Sequence, residues 1–222
     1  MKRELLKTGD GSYTIHLPEW NEQYHSKHGA LNEALHVFIK TGLHYFLAEN
    51  PSEEIEILEI GFGTGLNALL TLMEAEKLKL NIGYTGLEAY PVVISEVEKL
   101  NYPELLKVDT SLLMDLHKCS WEERCKISEY FQLMKRIQYF SELSENNTYN
   151  IIYFDAFGAR VQPGLWTEKI FEIMYTALKT KGMLVTYAAK GSVRRAMLAV
   201  GFKVERLPGP PGKREMLRAT KL

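Results

Sequence analysis

Three sets of residues in this chain have types and spacings that suit chemistry. The first is Glu59-Ile60-Gly61-Phe62-Gly63-Thr64-Gly65, which follows the apolar Ile55, Ile57 and Leu58 and leads into Leu66, Ala68, Leu69, Leu72 and Met73. A strand that ends in a glycine-dense turn and then opens a helix brings backbone N–H groups and a positive helix end close to an anionic ligand. The second is Glu88, 23 residues after Gly65, at the end of a second apolar run. A carboxylate there can accept two hydrogen bonds from adjacent ribose hydroxyls. The third is Asp155, which ends the apolar run Tyr149–Phe154 and precedes Ala156-Phe157-Gly158. A carboxylate in that place can bind an ammonium group, take or relay its proton and aim the freed lone pair at an electrophile. An alkyl amine needs such help, because its reference pKa of about 10 leaves it mostly protonated. The plainer reading of Asp155 is a structural carboxylate that satisfies backbone N–H groups of the following turn.

The spacing inside the glycine run discriminates between ligands. A dinucleotide fingerprint, G-x-G-x-x-G, requires glycine at position 66, which is Leu66. A P-loop requires a Gly-Lys-Ser/Thr ending, also missing. The pattern present, E-x-G-x-G-x-G, is that of the S-adenosylmethionine (SAM) pocket in Rossmann-like methyltransferases. SAM has no pyrophosphate; its methionine carboxylate is the anion for the turn. Dehydrogenases use the same acidic device for ribose, so Glu88 supports nucleoside binding without choosing the cofactor.

These residues need a scaffold, and the pattern of elements supplies one. Helical periodicity runs from Leu31 through Phe46 and stops before Pro51. Strands are expected at 55–60, 82–87, 131–140, 149–154 and 183–188, with a terminal pair at 202–207 and 216–220. Helices are expected after Gly65, after Pro91, over 104–130 with Ser120-Trp121-Glu122-Glu123 as a capping box, from Thr167 to Leu178, and over 192–200. This alternation predicts a mostly parallel seven-stranded sheet with an antiparallel edge hairpin and helices on both faces. Residues 1–50 read as an N-terminal extension and helix packed on the core, and 51–222 as the main body of a single domain.

Composition narrows the function classes. Hydrophobic content of 45% and charged content of 25% suit a soluble globular chain. Neither a signal-peptide pattern nor an apolar run near the roughly 18 residues of a membrane span is present, so cytoplasmic residence is expected. Cys119 and Cys125 lack a second pair for zinc and read as reduced thiols. His25 and His28 near Glu33 have no matching ligands, and no metal is expected. Charge is segregated: from Lys179 onward there are 11 Lys or Arg against 2 Asp or Glu, while the rest carries 16 against 26. A basic C-terminal segment suggests a polyanion footprint or, more plainly, a solvated edge. Lys190, Arg194 and Arg195, with Lys213 and Arg214, would make a basic rim for phosphates. Of Phe157, Trp166 and Tyr187, one is expected to offer a stacking face to a base.

The chain resembles the methyltransferase domain of the bacterial enzymes that finish 5-methylaminomethyl-2-thiouridine at the tRNA wobble position. The resemblance is carried by Tyr24–Phe38 (YHSKHGALNEALHVF), Leu58–Leu70 (LEIGFGTGLNALL), Gly86–Pro91 (GLEAYP), Tyr153–Thr167 (YFDAFGARVQPGLWT), Val185–Arg195 (VTYAAKGSVRR) and Gly201–Ala219 (GFKVERLPGPPGKREMLRA). It implies methyl transfer from SAM to the primary amine of 5-aminomethyl-(2-thio)uridine in a tRNA anticodon loop. It implies that Gly61, Phe62, Gly63, Thr64, Gly65 and Glu88 hold SAM, with Tyr24 and Ser26 covering it. Asp155 would face the amine, and Phe157, Lys190, Arg194, Arg195, Lys213 and Arg214 would meet RNA. Two departures stand out. Relatives often show Gly-Asp after the third strand, where this chain reads Tyr139-Phe140-Ser141. Many also carry a fused flavin-dependent oxidase domain, and the chain ends before one could begin, as in a stand-alone form. The alternatives are a small-molecule amine transferase of the polyamine-synthase type, against which Thr64 stands where those enzymes carry an acid, and a non-catalytic RNA-binding module on the same fold.

Overall fold

In the computed structural model, which describes residues 2–222, the chain builds one large sheet and one small one. The small sheet is an antiparallel meander of β1 (Glu4–Lys7), β2 (Tyr13–Leu17) and β3 (Glu22–Gln23). The large sheet comprises β4 (Glu54–Ile60), β5 (Asn81–Leu87), β6 (Arg124–Lys126), β7 (Phe131–Arg136), β8 (Tyr149–Phe154), β9 (Leu178–Thr186), β10 (Lys203–Pro208) and β11 (Glu215–Thr220). Its order is β10-β11-β9-β8-β4-β5-β7-β6, with the five central strands parallel and both edges antiparallel. The chain order reverses at β4, where β5 pairs on one side and β8 on the other. That switch point opens a crevice at the carboxyl ends of β4, β5 and β8.

Period-2 alternation divides the apolar residues between two layers. Ile55, Ile57, Tyr84, Ile151, Tyr153 and Val185 face helices at residues 30–49, Leu66–Leu78, Tyr102–Leu106 and Thr110–Lys118. Leu58, Ile60, Ile152, Phe154 and Leu184 face the Glu168–Ala177 and Gly191–Ala199 helices. The 30–49 helix is π-helical between Leu35 and His44, and packs on β8, β9 and β11. Among the described residues no helix is long and apolar enough to cross a membrane.

Two expectations fail. The sheet has eight strands, because residues 104–130 are not one helix. The Thr110–Lys118 helix ends at Cys119, Trp121 bridges Lys135, and β6 then pairs with β7. Ser120-Trp121-Glu122-Glu123 therefore opens no helix; Glu122 takes φ 64° and its carboxylate accepts from Ile137 N instead. The β9 strand also begins earlier than expected: the preceding helix stops at Ala177, and Gly182 lies inside the strand.

Lys135 on β7 is fully buried, with Nζ donating to His117 O at 2.6 Å and lying 4.7 Å from the Trp121 ring centre. The Phe62 ring packs against His117 and Trp121 in the same layer. Gly86 of β5 lets that ring lie flat on the strand, since a Cβ there would come within 2.5 Å of Phe62 Cδ2. Gly86→Ala is expected to cost about 1–3 kcal/mol by overpacking. Thermal denaturation should show a loss of about 2–4 °C for each kcal/mol at this chain length. An unchanged melting temperature would show that Phe62 is not locked.

Candidate active site

A cleft of about 690 Å³ lies over the switch point. Its floor is Gly61, Gly63 and Asp155; one wall is Glu88–Tyr90 with Tyr139–Ser141, and the other is Trp20, Tyr24, Phe157 and Tyr187. The floor is folded by backbone hydrogen bonds across the switch. The N–H groups of Gly61 and Phe62 both donate to Leu87 O, at 3.1 and 2.9 Å, and Asp155 N donates to Ile60 O at 3.0 Å. Gly61, Gly63 and Gly65 have φ of 92°, 51° and 74°, the left-handed region that disfavours a side chain. Gly65 then opens the Leu66–Leu78 helix, whose first amides have no partner within the helix.

Glu88 ties the turn to β5. Its Oε2 accepts from Gly63 N at 3.0 Å and its Oε1 from Tyr90 N at 2.9 Å. A carboxylate has about four acceptor sites, so two remain for ribose hydroxyls. Beneath the turn a narrow recess holds Glu59, Asn67 and Asp155 together. The Asn67 amide donates to Glu59 Oε1 and to Asp155 Oδ2, both at 2.9 Å. Glu59 is fully enclosed, and burial holds its carboxyl well above the usual range. Asp155 is pushed up to about 7 by burial first and by the Glu33 charge second, against the Asn67 hydrogen bond and Lys213, which pull it down. One edge of Asp155 faces the cleft. It is therefore a carboxyl that gains and loses a proton near neutrality.

Several sequence-predicted residues meet here and others do not. Gly61, Gly63, Glu88, Tyr24, Asp155 and Phe157 line the cleft. The Tyr24 ring covers Gly63, where a Cβ would lie 3.1 Å from Tyr24 Cδ1, and stacks edge-on against Phe157 at 5.1 Å. Phe62 and Thr64 turn their side chains into the core; Thr64 Oγ1 accepts from the Tyr102 hydroxyl at 3.2 Å. Gly65 closes against His117, whose Nε2 would lie 2.8 Å from a Cβ there. Ser26 lies outside the cleft: its N–H donates to Glu33 and its hydroxyl accepts from His28 N. Phe157 and Tyr187 both line the cleft, while Trp166 is core and donates to Phe157 O.

The basic rim is thinner than the sequence predicts. Lys190, Arg195 and Arg214 are exposed, and Arg194 is half-buried with Nε enclosed. Lys213 turns inward to an ion pair with the buried Glu33. Arg218 stacks on Tyr45 at 3.3 Å and pairs with Glu205, and Lys221 donates to Leu178 O. Sequence reasoning missed Glu33, Asn67 and Trp20. Glu33 and Asn67 lie in helical segments, where a single polar residue carries no local sign of which cavity it will reach.

The cavity fits SAM on its own chemistry. Glu59 Oε2 and Asn67 Oδ1 are buried beside the turn without partners among the described residues, suited to an ammonium group such as the amino end of the methionine moiety. A family model described as S-adenosyl-L-methionine-dependent methyltransferase matches residues 110–222, half of the chain. The chain belongs to this family. SAM is accordingly the cofactor of this methyltransferase. Similar proteins include the tRNA 5-methylaminomethyl-2-thiouridine biosynthesis bifunctional protein MnmC of Hydrogenovibrio crunogenus, 29% identical over 89% of this chain and 31% of that one. The protein of the same name from Leptospira interrogans is 29% identical over 90% of this chain and 32% of its own length. The methyltransferase thus spans about a third of the length of these curated relatives. The crystal structure of MNMC2 from Aquifex aeolicus superposes with a TM-score of 0.79 at 25% identity, covering 98% of this chain and 69% of that one. Spermidine synthase from Thermotoga maritima, at TM-score 0.56 and 15% identity, shares the fold.

Gly63→Val places methyl groups against Tyr24 and forces a branched residue into left-handed backbone. Calorimetry on the folded variant should show SAM affinity reduced on the order of 100-fold or more. Wild-type affinity would remove this turn from the cofactor pocket.

Proposed function

We propose that this methyltransferase transfers a methyl group from SAM to the primary amine of 5-aminomethyl-(2-thio)uridine at the tRNA wobble position, giving 5-methylaminomethyl-(2-thio)uridine. The MnmC relatives are named for the biosynthesis of 5-methylaminomethyl-2-thiouridine in tRNA, which supports this substrate, and the cleft supplies a chemical reason to accept it. The observation that carries the proposal is Asp155, a carboxyl titrating at about 7 on the floor of an aromatic-walled cleft beside the glycine turn.

Gly61 and Gly63 would hold the cofactor through the turn, Glu88 through its ribose, and Tyr24 would cover it. When bound, SAM supplies a methyl group on a cationic sulfur, which a neutral amine can displace. Asp155 first attracts the substrate as an ammonium and holds it in line. It then takes the proton. An aspartate at its ordinary pKa of about 3.9 would face an uphill transfer of roughly 6.5 pK units from an alkylammonium at about 10.4, about 9 kcal/mol. Raised to about 7, it faces roughly 3.4 units, about 5 kcal/mol. Desolvation of the ammonium in the cleft narrows the gap further. Asn67 fixes the orientation of the carboxylate through Oδ2, leaving Oδ1 for the amine. Phe157 and Tyr187 offer aromatic faces to the base, and the exposed Lys190, Arg195 and Arg214 offer charge to flanking phosphates.

Radiolabelled methyl transfer to undermodified total tRNA, followed by nucleoside analysis, should place the label in 5-methylaminomethyl-(2-thio)uridine. Asp155→Ala should reduce transfer by about 100-fold or more, with SAM affinity within a few fold of wild type. Label in any other nucleoside would refute the substrate, and full activity of the variant would refute the role of Asp155. The triple replacement of Lys190, Arg195 and Arg214 by alanine should weaken tRNA binding and flatten its salt dependence by up to about 3 units of slope. An unaltered slope would exclude this face from the RNA contact.

A further inference from the structure

Lys213 sits in a place that phosphate binding does not explain. The loop joining β10 to β11 carries it inward, where its ammonium lies 3.7 Å from the centre of the Tyr187 ring and pairs with Glu33 Oε2. Glu33 belongs to the first turn of the 30–49 helix and its side chain is 6% exposed. Its other oxygen accepts from Ser26 N at 3.1 Å. Tyr187 in turn donates its hydroxyl to Ala156 O at 2.9 Å and lines the cleft together with Asp155. One chain of contacts therefore runs from Glu33 through Lys213 and Tyr187 to the backbone beside Asp155.

We propose that Lys213 is a positioning residue for the reaction: held on the Tyr187 face, its ammonium cancels the Glu33 charge, so that Asp155 carries the negative charge offered to the substrate amine. Its catalytic meaning rests on the amine-methylating role proposed above; its electrostatic content does not.

Asp155 is faced by Glu59 and Asn67 from β4 and the Leu66–Leu78 helix, and by Tyr84 from β5. Glu33, Lys213 and Tyr187 act on it from the 30–49 helix, the β10–β11 loop and the end of β9. Burial holds the Glu59 carboxyl well above its usual range. Two carboxylates near one another cannot both ionise freely without a cation between them. With Lys213 in place Glu33 is paired and its charge is offset. Without it, the uncancelled Glu33 charge would act on Asp155 and favour its protonated form.

The chain has only four aspartates, Asp10, Asp109, Asp115 and Asp155. Carboxyl-13C-labelled aspartate therefore gives four signals to follow by NMR, with Asp155→Asn assigning the relevant one in the protein alone. Lys213→Gln should raise the Asp155 midpoint by about one pH unit. Glu33→Gln should lower it, and the double variant should return it close to wild type. An Asp155 midpoint unmoved by Lys213→Gln, or a double variant that stays at the Lys213→Gln value, would overturn the proposal. Should Lys213→Gln fail to fold, Glu33→Gln alone decides, and an unmoved midpoint there would likewise overturn it. A phosphate-contacting Lys213 would instead lower the salt slope of tRNA binding by about one and leave the midpoint unchanged. Because neither SAM nor tRNA is present in the titration, its failure is distinguishable from failure of the proposed reaction.

Discussion

The close approach of the glycine turn to the end of β8 governs the site. β4 and β8 run parallel with Ile60 opposite Phe154, so the chain leaves both strands side by side. Asp155 N donates to Ile60 O, and a Cβ on Gly61 would sit 2.9 Å from Asp155 O. The turn and the acid therefore cannot move independently. Only glycine at position 61 allows two backbones to meet there, and only parallel strands at a switch point bring two such ends together. A cofactor seated on the turn is placed beside Asp155 by the sheet itself.

Burial sets the charge at that junction. Glu59, Asp155 and Glu33 are three carboxyls withdrawn from solvent to different degrees, and each is handled differently: burial holds Glu59 well above its usual range, Glu33 is paired with Lys213, and Asp155 is left to titrate at about 7. Keeping Asp155 raised has a cost. Its folded pKa exceeds the unfolded value of about 3.9, so its contribution to stability is complete below about pH 4 and is lost as pH rises through 7. Three units amount to at most about 4 kcal/mol, and to less because one edge of the carboxyl meets solvent in the cleft. Such a cost is expected where a carboxyl is tuned for proton transfer.

Much of this was legible in the sequence, for identifiable reasons. The β4–turn–helix unit, Glu88 and Asp155 announce themselves because strand periodicity and glycine spacing are local signals, and strand ends in a parallel sheet converge. The 104–130 stretch misled because its polar, weakly periodic composition suits a helix, while the β6–β7 pairing that wins depends on residues farther along. Lys213 and Ser26 misled for a different reason. A lysine after a proline-glycine loop reads as solvated, and its direction is set by Glu33, 180 residues earlier in the chain. The basic surplus of the C-terminal segment was likewise an overestimate of free charge, since Arg218, Lys213 and Lys221 are engaged within the fold.

The most direct measurement is the pH dependence of single-turnover methyl transfer to aminomethyluridine-containing tRNA with SAM already bound. The wild-type rate should rise about tenfold per pH unit below a midpoint at or below the ligand-free value of about 7, since the bound sulfonium favours the carboxylate, and the residual rate of Asp155→Asn should lack that limb. A wild-type profile flat from pH 5 to about 8, or an identical limb in Asp155→Asn, would contradict a proton-accepting carboxylate beside the glycine turn.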